Sequence, residues 1–255
     1  MLFTFKDVTY DYTSNSRFHL GPLSLTLPSD QLTALVGSNG SGKTTMIRVL
    51  LNELVNYSGT YSIDNTEIRD LTGSVPHQFG IGYAPEDPVL DEALSGYEIL
   101  SIIKEIHGID TALFEKQLEQ FRSLLQLDTW FESSPCSEYS QGMRRKTSLM
   151  IAMTGAMNFA IIDEPTNGLD PLAVFGLKRL VAGYKEQGRG ALISSHMLDF
   201  VEKIAENIII LKKGSIAFAG KVKDLMEMHP EKPLDEIYFH IFANDTVPGL
   251  SETQK

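Results

Sequence analysis

The run Gly37-Ser38-Asn39-Gly40-Ser41-Gly42-Lys43-Thr44-Thr45 has the residue types and spacing of a loop that wraps a polyphosphate. Its glycines let successive main-chain N–H groups turn inward around anionic oxygens. A helix beginning near Lys43 adds the partial positive charge of its first turn. Lys43 brings a full charge to the β- and γ-phosphates, and the Thr44 hydroxyl suits a Mg²⁺ shell. A second chemistry-bearing pair, Asp163-Glu164, closes the apolar run Phe159-Ala160-Ile161-Ile162. Carboxylates at the end of a buried strand lie at the edge of the sheet where phosphate and metal bind in α/β folds. Adjacent strand residues point to opposite faces, so the two acids are expected to divide the work: Asp163 toward Mg²⁺ and Glu164 toward the attacking water. Taken singly, each segment also has a plain explanation, a glycine-rich turn or a strand end reaching solvent. In one chain they favour phosphoryl chemistry.

The elements that must hold these residues are legible around them. The apolar strand Leu32–Val36 precedes the phosphate loop, and a helix containing Ile47, Leu50 and Leu51 follows it. Upstream, Leu2–Phe5, Val8–Tyr12 and Leu23–Leu27 read as short strands punctuated at 11–16 and at Gly21-Pro22. Ser58–Ile63 reads as a further strand. From about Asp87 the pattern turns helical. Ile99, Ile102, Ile103 and Ile106 are expected to share one core-facing stripe, as are Phe114, Leu118, Phe121 and Leu125. Gly142–Gly155 is expected to be a helix, and Phe159–Ile162 a strand buried on both faces. Pro171–Gln187 is amphipathic through Val174, Leu177, Val181 and Tyr184. Ala191–Ile193 is a strand, followed by a helix to about Ala205. Ile208–Leu211 and Ile216–Ala219 bracket Lys212-Lys213-Gly214 as a hairpin. Alternating strands and helices predict a mainly parallel α/β sheet.

Composition narrows the function classes. The 255 residues, 42% of them apolar, suffice for one substantial core, or a core with a satellite subdomain. A formal net charge of −11 argues against non-specific nucleic-acid binding, which needs clustered Lys and Arg. The single cysteine, Cys136, allows no intramolecular disulfide, fits a reducing compartment and reads as an ordinary small residue. Residues Met1–Asp7 lack the basic stretch and apolar run of a secretory leader. The most apolar long window, Ser148–Ile162, is too short and too interrupted to span a bilayer. Any membrane role is therefore expected to come through a partner.

Four further segments, in order and at matching spacing, resemble those of the ATP-binding cassette family over about Phe3–Gly220. Tyr139-Ser140-Gln141-Gly142-Met143 resembles the family signature, usually written LSGGQ. Pro165-Thr166-Asn167-Gly168-Leu169-Asp170 resembles the segment after the catalytic glutamate, ending in the D-loop. Ser194-Ser195-His196 resembles the switch-histidine segment, and Ile81-Gly82-Tyr83-Ala84-Pro85-Glu86 the Q-loop. The resemblance implies an α/β P-loop NTPase fold: a RecA-like core with a mainly parallel sheet, an antiparallel β subdomain and an α-helical subdomain. It places the nucleotide-binding domain at 1–225, with the helical subdomain inserted at about 88–145. A short C-terminal helix and a disordered tail follow at 226–255.

The family also implies the site. Gly37 to Thr45, Tyr12 stacked on adenine, Ser140, Gly142 and Asp170 bind ATP. Thr44, Asp163 and Glu86 serve Mg²⁺, and Glu164, Lys43 and His196 carry the catalysis. Ser140, at an N-cap position, and the Gly142 amide can present hydrogen-bond donors to an anion; in the family they complete the site of a second cassette, so a head-to-tail dimer is implied. A core tyrosine is the alternative for Tyr12. His19, His77, His107, His229 and His240 have no ligand spacing. Two departures stand out. Glu86 replaces the Q-loop glutamine, which adds negative charge and removes an amide donor. Gln141 replaces the first signature glycine, which a helix already begun at that point would tolerate. Tyrosine-initial signatures and the stretches Pro88–Ile109 and Pro233–Tyr238 resemble the bacterial exporter branch.

The function implied is the ATP-hydrolysing motor of a membrane transporter. It would work as a dimer, held through a separate transmembrane permease at the cytoplasmic face of the membrane, with no nucleic-acid partner. Two rivals carry less. A soluble ATPase of this fold acting on ribosomes or DNA would have two cassettes in one chain or a long coiled-coil insertion. A non-hydrolysing regulator would not need Lys43, Asp163, Glu164 and His196 together.

Overall fold

A computed structural model describes residues 1–12, 18–69 and 75–243. In chain order the elements are β1 (Leu2–Asp11), β2 (His19–Pro28), β3 (Leu32–Val36), α1 (Lys43–Leu50), β4 (Ser58–Ile63), β5 (Thr66–Glu67), α2 (Val75–Phe79), β6 (Ile81–Ala84) and α3 (Gly96–Ile106). They continue with α4 (Thr111–Leu125), α5 (Trp130–Ser133), α6 (Gln141–Gly155), β7 (Phe159–Ile162), α7 (Pro171–Glu186), β8 (Gly190–Ser194), α8 (Leu198–Ile204), β9 (Asn207–Lys212), β10 (Ser215–Lys221), α9 (Val222–Glu227) and α10 (Leu234–Ala243). The strand-and-helix alternation produces the expected α/β class, with separate parallel and antiparallel pairings. The tail expected to be disordered, from Asn244, lies outside the described residues, as does most of the 11–16 punctuation.

The chain divides into two compact units. One holds β1–β5, α1 and everything from Ser195 onward. Here β2-β1-β4-β5 form one sheet, in which β1 and β4, and β4 and β5, pair antiparallel. The two strands expected at 2–5 and 8–12 are a single strand, because the register merely shifts between Lys6 and Thr9 while Asp7 takes a positive φ. In the same unit β3 pairs parallel with β9, and β9 pairs antiparallel with β10, which realises the predicted hairpin. All five residues of β3 are buried, as befits a strand covered on both faces. Ala34 and Val36 share a core with Val201, Ile208, Ile210, Phe218, Leu225 and three residues of α10, Leu234, Ile237 and Ile241.

The second unit comprises residues 28–31 and the described part of 71–194. Its strands β6, β7 and β8 run parallel. Helix α6 lies directly on β6: a Cβ on Gly82 would stand 1.9 Å from the Ala152 carbonyl oxygen, so only glycine permits that approach. Helix α3 opens with a capping box, in which the Ser95 hydroxyl accepts from the Glu98 amide and Glu98 accepts from the Ser95 amide. Helix α4 is capped by Asp110 and buries Phe114, Leu118, Phe121 and Leu125, as their spacing predicts. The isoleucine stripe of α3 differs from expectation: Ile102 is 46% and Ile106 57% exposed, while Leu100 is fully buried. At 100° per residue the buried face centres on Gly96, Leu100 and Ile103, so the outer two isoleucines fall beyond its edge.

Candidate functional site

The site residues fall in both units, and each half is built by its own local structure. In the first unit, the phosphate loop leaves the buried end of β3 and enters α1. Gly42 is the N-cap of α1 at φ 109, a left-handed angle that costs a side-chain-bearing residue energy and glycine little. The first-turn amides of α1 have no acceptor within the helix and point at whatever occupies the loop. The loop is closed on itself by the Ser41 amide donating to the Ser38 carbonyl at 3.0 Å and by Lys43 Nζ donating to the Gly37 carbonyl at 2.8 Å. Lys43, Ser41 and Thr45 are buried, whereas Ser38, Asn39, Gly40 and Thr44 face solvent.

Tyr12 is 44% exposed, which removes the core-tyrosine alternative. Its ring meets Tyr10 edge-on at 5.1 Å and lies 6.4 Å from Phe18. Its hydroxyl is 3.0 Å from Thr45 Oγ1, so the aromatic surface is tethered to the helix of the phosphate loop. His196 is exposed on a turn held by two bonds of Ser195: its amide donates to the Leu35 carbonyl at 3.1 Å, and its hydroxyl accepts from the Met197 amide at 3.1 Å.

In the second unit, Asp163 and Glu164 follow β7 and are 2% and 4% exposed. The Ser194 hydroxyl at the end of β8 donates to Asp163 Oδ1. Glu164 has φ 46, a conformation that costs a non-glycine residue about 1–3 kcal/mol and persists only where the surroundings impose it. The alternation argument therefore does not reach Glu164: the chain has left the strand, and its direction is set by the bonds of its own peptide groups. Its amide donates to Ser194 Oγ at 2.8 Å, and its carbonyl accepts from Arg145 Nη2 at 2.6 Å.

Glu86 is exposed, and its Oε1 accepts from Asn167 Nδ2 at 3.1 Å. The Q-loop and the segment after Glu164 are thus joined side chain to side chain. Ser140 caps α6, its hydroxyl accepting from the Met143 amide at 3.3 Å. That oxygen accepts within its own helix while its O–H stays able to donate, and the Gln141 and Gly142 amides are first-turn donors with no acceptor within the helix. Gln141 is the first helical residue and has no left-handed backbone angle, as expected for a helix already begun. Asp170 caps α7 by accepting from the Ala173 amide at 2.8 Å, and that bond, helped by Lys146, holds its carboxyl below the ordinary value.

Taken unit by unit, Thr44 offers an exposed hydroxyl in the first, and Asp163 and Glu86 offer carboxylates in the second; each is a hard oxygen of the kind Mg²⁺ takes. Among the described residues no group of three or more His, Cys, Asp or Glu side chains forms a metal cage. The buried Ser41 hydroxyl, with no hydrogen-bond partner among the described residues, is a polar atom that a bound phosphate oxygen would satisfy.

Three groups escaped the reading of the sequence. Ser194 and Asn167 lie inside recognised segments but carried no assigned contact. Arg145 lies in the basic run Arg144-Arg145-Lys146, and nothing in the spacing marks the middle residue as buried.

A nucleotide-type phosphate loop, an acidic strand end and a capped helix start, set on this mixed α/β scaffold, define a P-loop NTPase. The chain belongs to the ABC transporter family, whose sequence profile matches residues 20–167, and it is an ATP-binding ATPase of that family. It is 32% identical over 250 residues to the ABC-type transporter ATP-binding protein EcsA of Bacillus subtilis, covering 96% of this chain and 98% of the relative. It is 29% identical to the lantibiotic transport ATP-binding protein SrtF of Streptococcus pyogenes, over 77% of this chain and 82% of that one. Among solved structures, an ATP-binding subunit of an ABC transporter superposes with a TM-score of 0.83 at 29% identity, covering 94% of this chain and 99% of the other. A dimeric ATP-binding cassette in a post-hydrolysis state, bound to ADP and Pi, shares the fold with a TM-score of 0.71 at 20% identity, over 86% and 98% of the two chains.

Proposed function

We propose that this chain is the ATP-driven motor of an exporter whose membrane-spanning permease is a separate polypeptide, and that it works as a pair of cassettes with ATP between them. Lys43 and the amides of the phosphate loop grip the β- and γ-phosphates of ATP, and Tyr12 offers its exposed face to the base. Glu164 orients the attacking water and takes its proton; His196 donates to the γ-phosphate or the water. Thr44, Asp163 and Glu86 would hold Mg²⁺, which when bound neutralises developing charge on the phosphates. The first turn of α6 at Ser140–Gly142 faces the nucleotide of the second cassette, and Asp170 contributes to binding there. Closure and reopening of the pair would drive a permease seated near Glu86 and residues 87–105, at the cytoplasmic face of the membrane. Among the described residues no helix is long and apolar enough to cross a membrane.

The observation that carries the catalytic reading is Glu164 itself, a buried carboxylate held in a strained conformation directly after a buried strand. Lantibiotic transport by one relative supports export, and the dimeric cassette among the fold neighbours supports the pairing. The test is E164Q. Loss of a general base is expected to lower turnover by about a hundredfold or more, with ATP affinity retained. Turnover near wild type would remove Glu164 from that role. Co-purification with a polytopic membrane protein is expected; co-sedimentation with ribosomes would favour the soluble alternative.

A further inference from the structure

We propose that Arg145 is a positioning residue for ATP hydrolysis, its guanidinium fixing the peptide that aims Glu164 and tying it to the segment that carries Glu86. The proposal rests on the reading of Glu164 as the base.

Arg145 is among the largest fully buried side chains of the described residues, at 1% exposure. It reaches three main-chain carbonyls on two separate segments. Nη1 donates to Pro85 at 2.5 Å; Nη2 donates to Asp163 at 3.1 Å and to Glu164 at 2.6 Å. The planar fork of a guanidinium carries five N–H donors in a fixed geometry, which suits it to hold carbonyls in two directions at once. Burial pushes its pKa down, and the carboxylates of Glu86, Asp163, Asp87 and Glu164 push it back up. If filling space were its task, Met or Leu would do it without taking a cation out of water.

The peptide it grips needs gripping. Glu164 sits at φ 46, and the turn is pinned from both ends, its amide by Ser194 and its carbonyl by Arg145. With both peptide groups fixed, the Cα–Cβ direction of Glu164 is fixed too. The Pro85 bond sets the residue immediately before Glu86, and Glu86 in turn accepts from Asn167, three residues after Glu164. Arg145 also lies in the second turn of α6, whose N-cap is Ser140. One continuous helix therefore joins the signature end to the carbonyl of Glu164.

The experiment uses the full chain with R145M, R145Q and R145K, each alone and in the E164Q background. Readouts are kcat, KM for ATP, the stoichiometry of ATP binding with a fluorescent analogue, and thermal melting. Expected are full ATP stoichiometry with affinity within about threefold of wild type and kcat lower by about tenfold or more in R145M and R145Q, since misplacement of a reacting group is felt in turnover. R145K, keeping the charge but losing the fixed planar fork, should fall between. In the E164Q background R145M should change the residual rate less than about twofold, because both act through one group. A folded R145M with wild-type kcat would overturn the proposal. So would losses that multiply fully in the double variant, or loss of ATP binding together with the fold in all three variants, which marks a purely structural role. E164Q turning over at the wild-type rate would instead remove the reading of the base, and the proposal with it. E164Q inactive beside a fully active R145M removes the proposal alone.

Discussion

Tyr12 shows how one side chain can hold two relationships that separate by mutation. Its ring is exposed beside Tyr10 and Phe18, and its hydroxyl meets Thr45. If the ring stacks on the base, Y12A should weaken ATP binding by about 1–3 kcal/mol, or about 5- to 150-fold. Y12F keeps the ring and loses only one partly exposed hydrogen bond, worth about 1 kcal/mol at most, so its affinity should stay within about fivefold of wild type. Equilibrium titration with a fluorescent ATP analogue checks both. Equal losses in the two variants would assign the role to the hydroxyl instead.

Helix ends are where local chemistry sets stability at the scale of elements. Asp170 caps α7 with a carboxylate whose pKa is lowered by the Ala173 amide. A depressed carboxyl contributes stability above its ordinary value near 4 and loses it as pH falls through the folded value. D170A should therefore cost about 1 kcal/mol at pH 7, and the deficit should shrink as pH falls through the lowered folded value of the carboxyl. Urea unfolding across that pH range checks it. Tyr139 shows the opposite sign in a different element. Burial pushes its phenol up to about 12, and its hydroxyl accepts from the Gly96 amide at the start of α3 at 2.8 Å. The neutral phenol contributes fully below about pH 10, and its contribution is lost as pH rises from about 10 to about 12. Y139F should flatten that part of the alkaline stability curve. Because it orphans the Gly96 N–H, it should also cost about 1–3 kcal/mol at neutral pH, measurable by the same unfolding series.

At the scale of the whole molecule, the chain carries a complete phosphate loop and a complete signature segment, and the reading that pairs them across two copies makes a prediction about mass. E164Q with ATP should elute as a dimer and return to monomer when ATP is removed, because slow hydrolysis leaves the shared nucleotide in place. S140F, which puts bulk at the exposed start of α6, should abolish that shift while leaving monomeric ATP affinity unchanged within about twofold. Size exclusion with light scattering distinguishes the outcomes. A persistent monomer in E164Q with ATP would leave the signature without the role proposed for it.

Much of this protein is local and therefore legible along the chain. The phosphate loop, β3, α1, the doubly buried β7 and the β9–β10 hairpin depend on residue type, period and turn chemistry within a few neighbours, and all stand where those signals place them. The stripe of α4 was legible because its four apolar residues keep strict helical spacing. What only the tertiary structure decided concerns partners distant in sequence. Ser194 meets Asp163, Asn167 meets Glu86, and Ile102 and Ile106 face outward because the neighbours of α3 choose a different face. Arg145 is the clearest case. Nothing in its basic run marks it for burial, and it is buried because the carbonyls that satisfy it come from Pro85, Asp163 and Glu164, brought to it by packing that no local rule encodes.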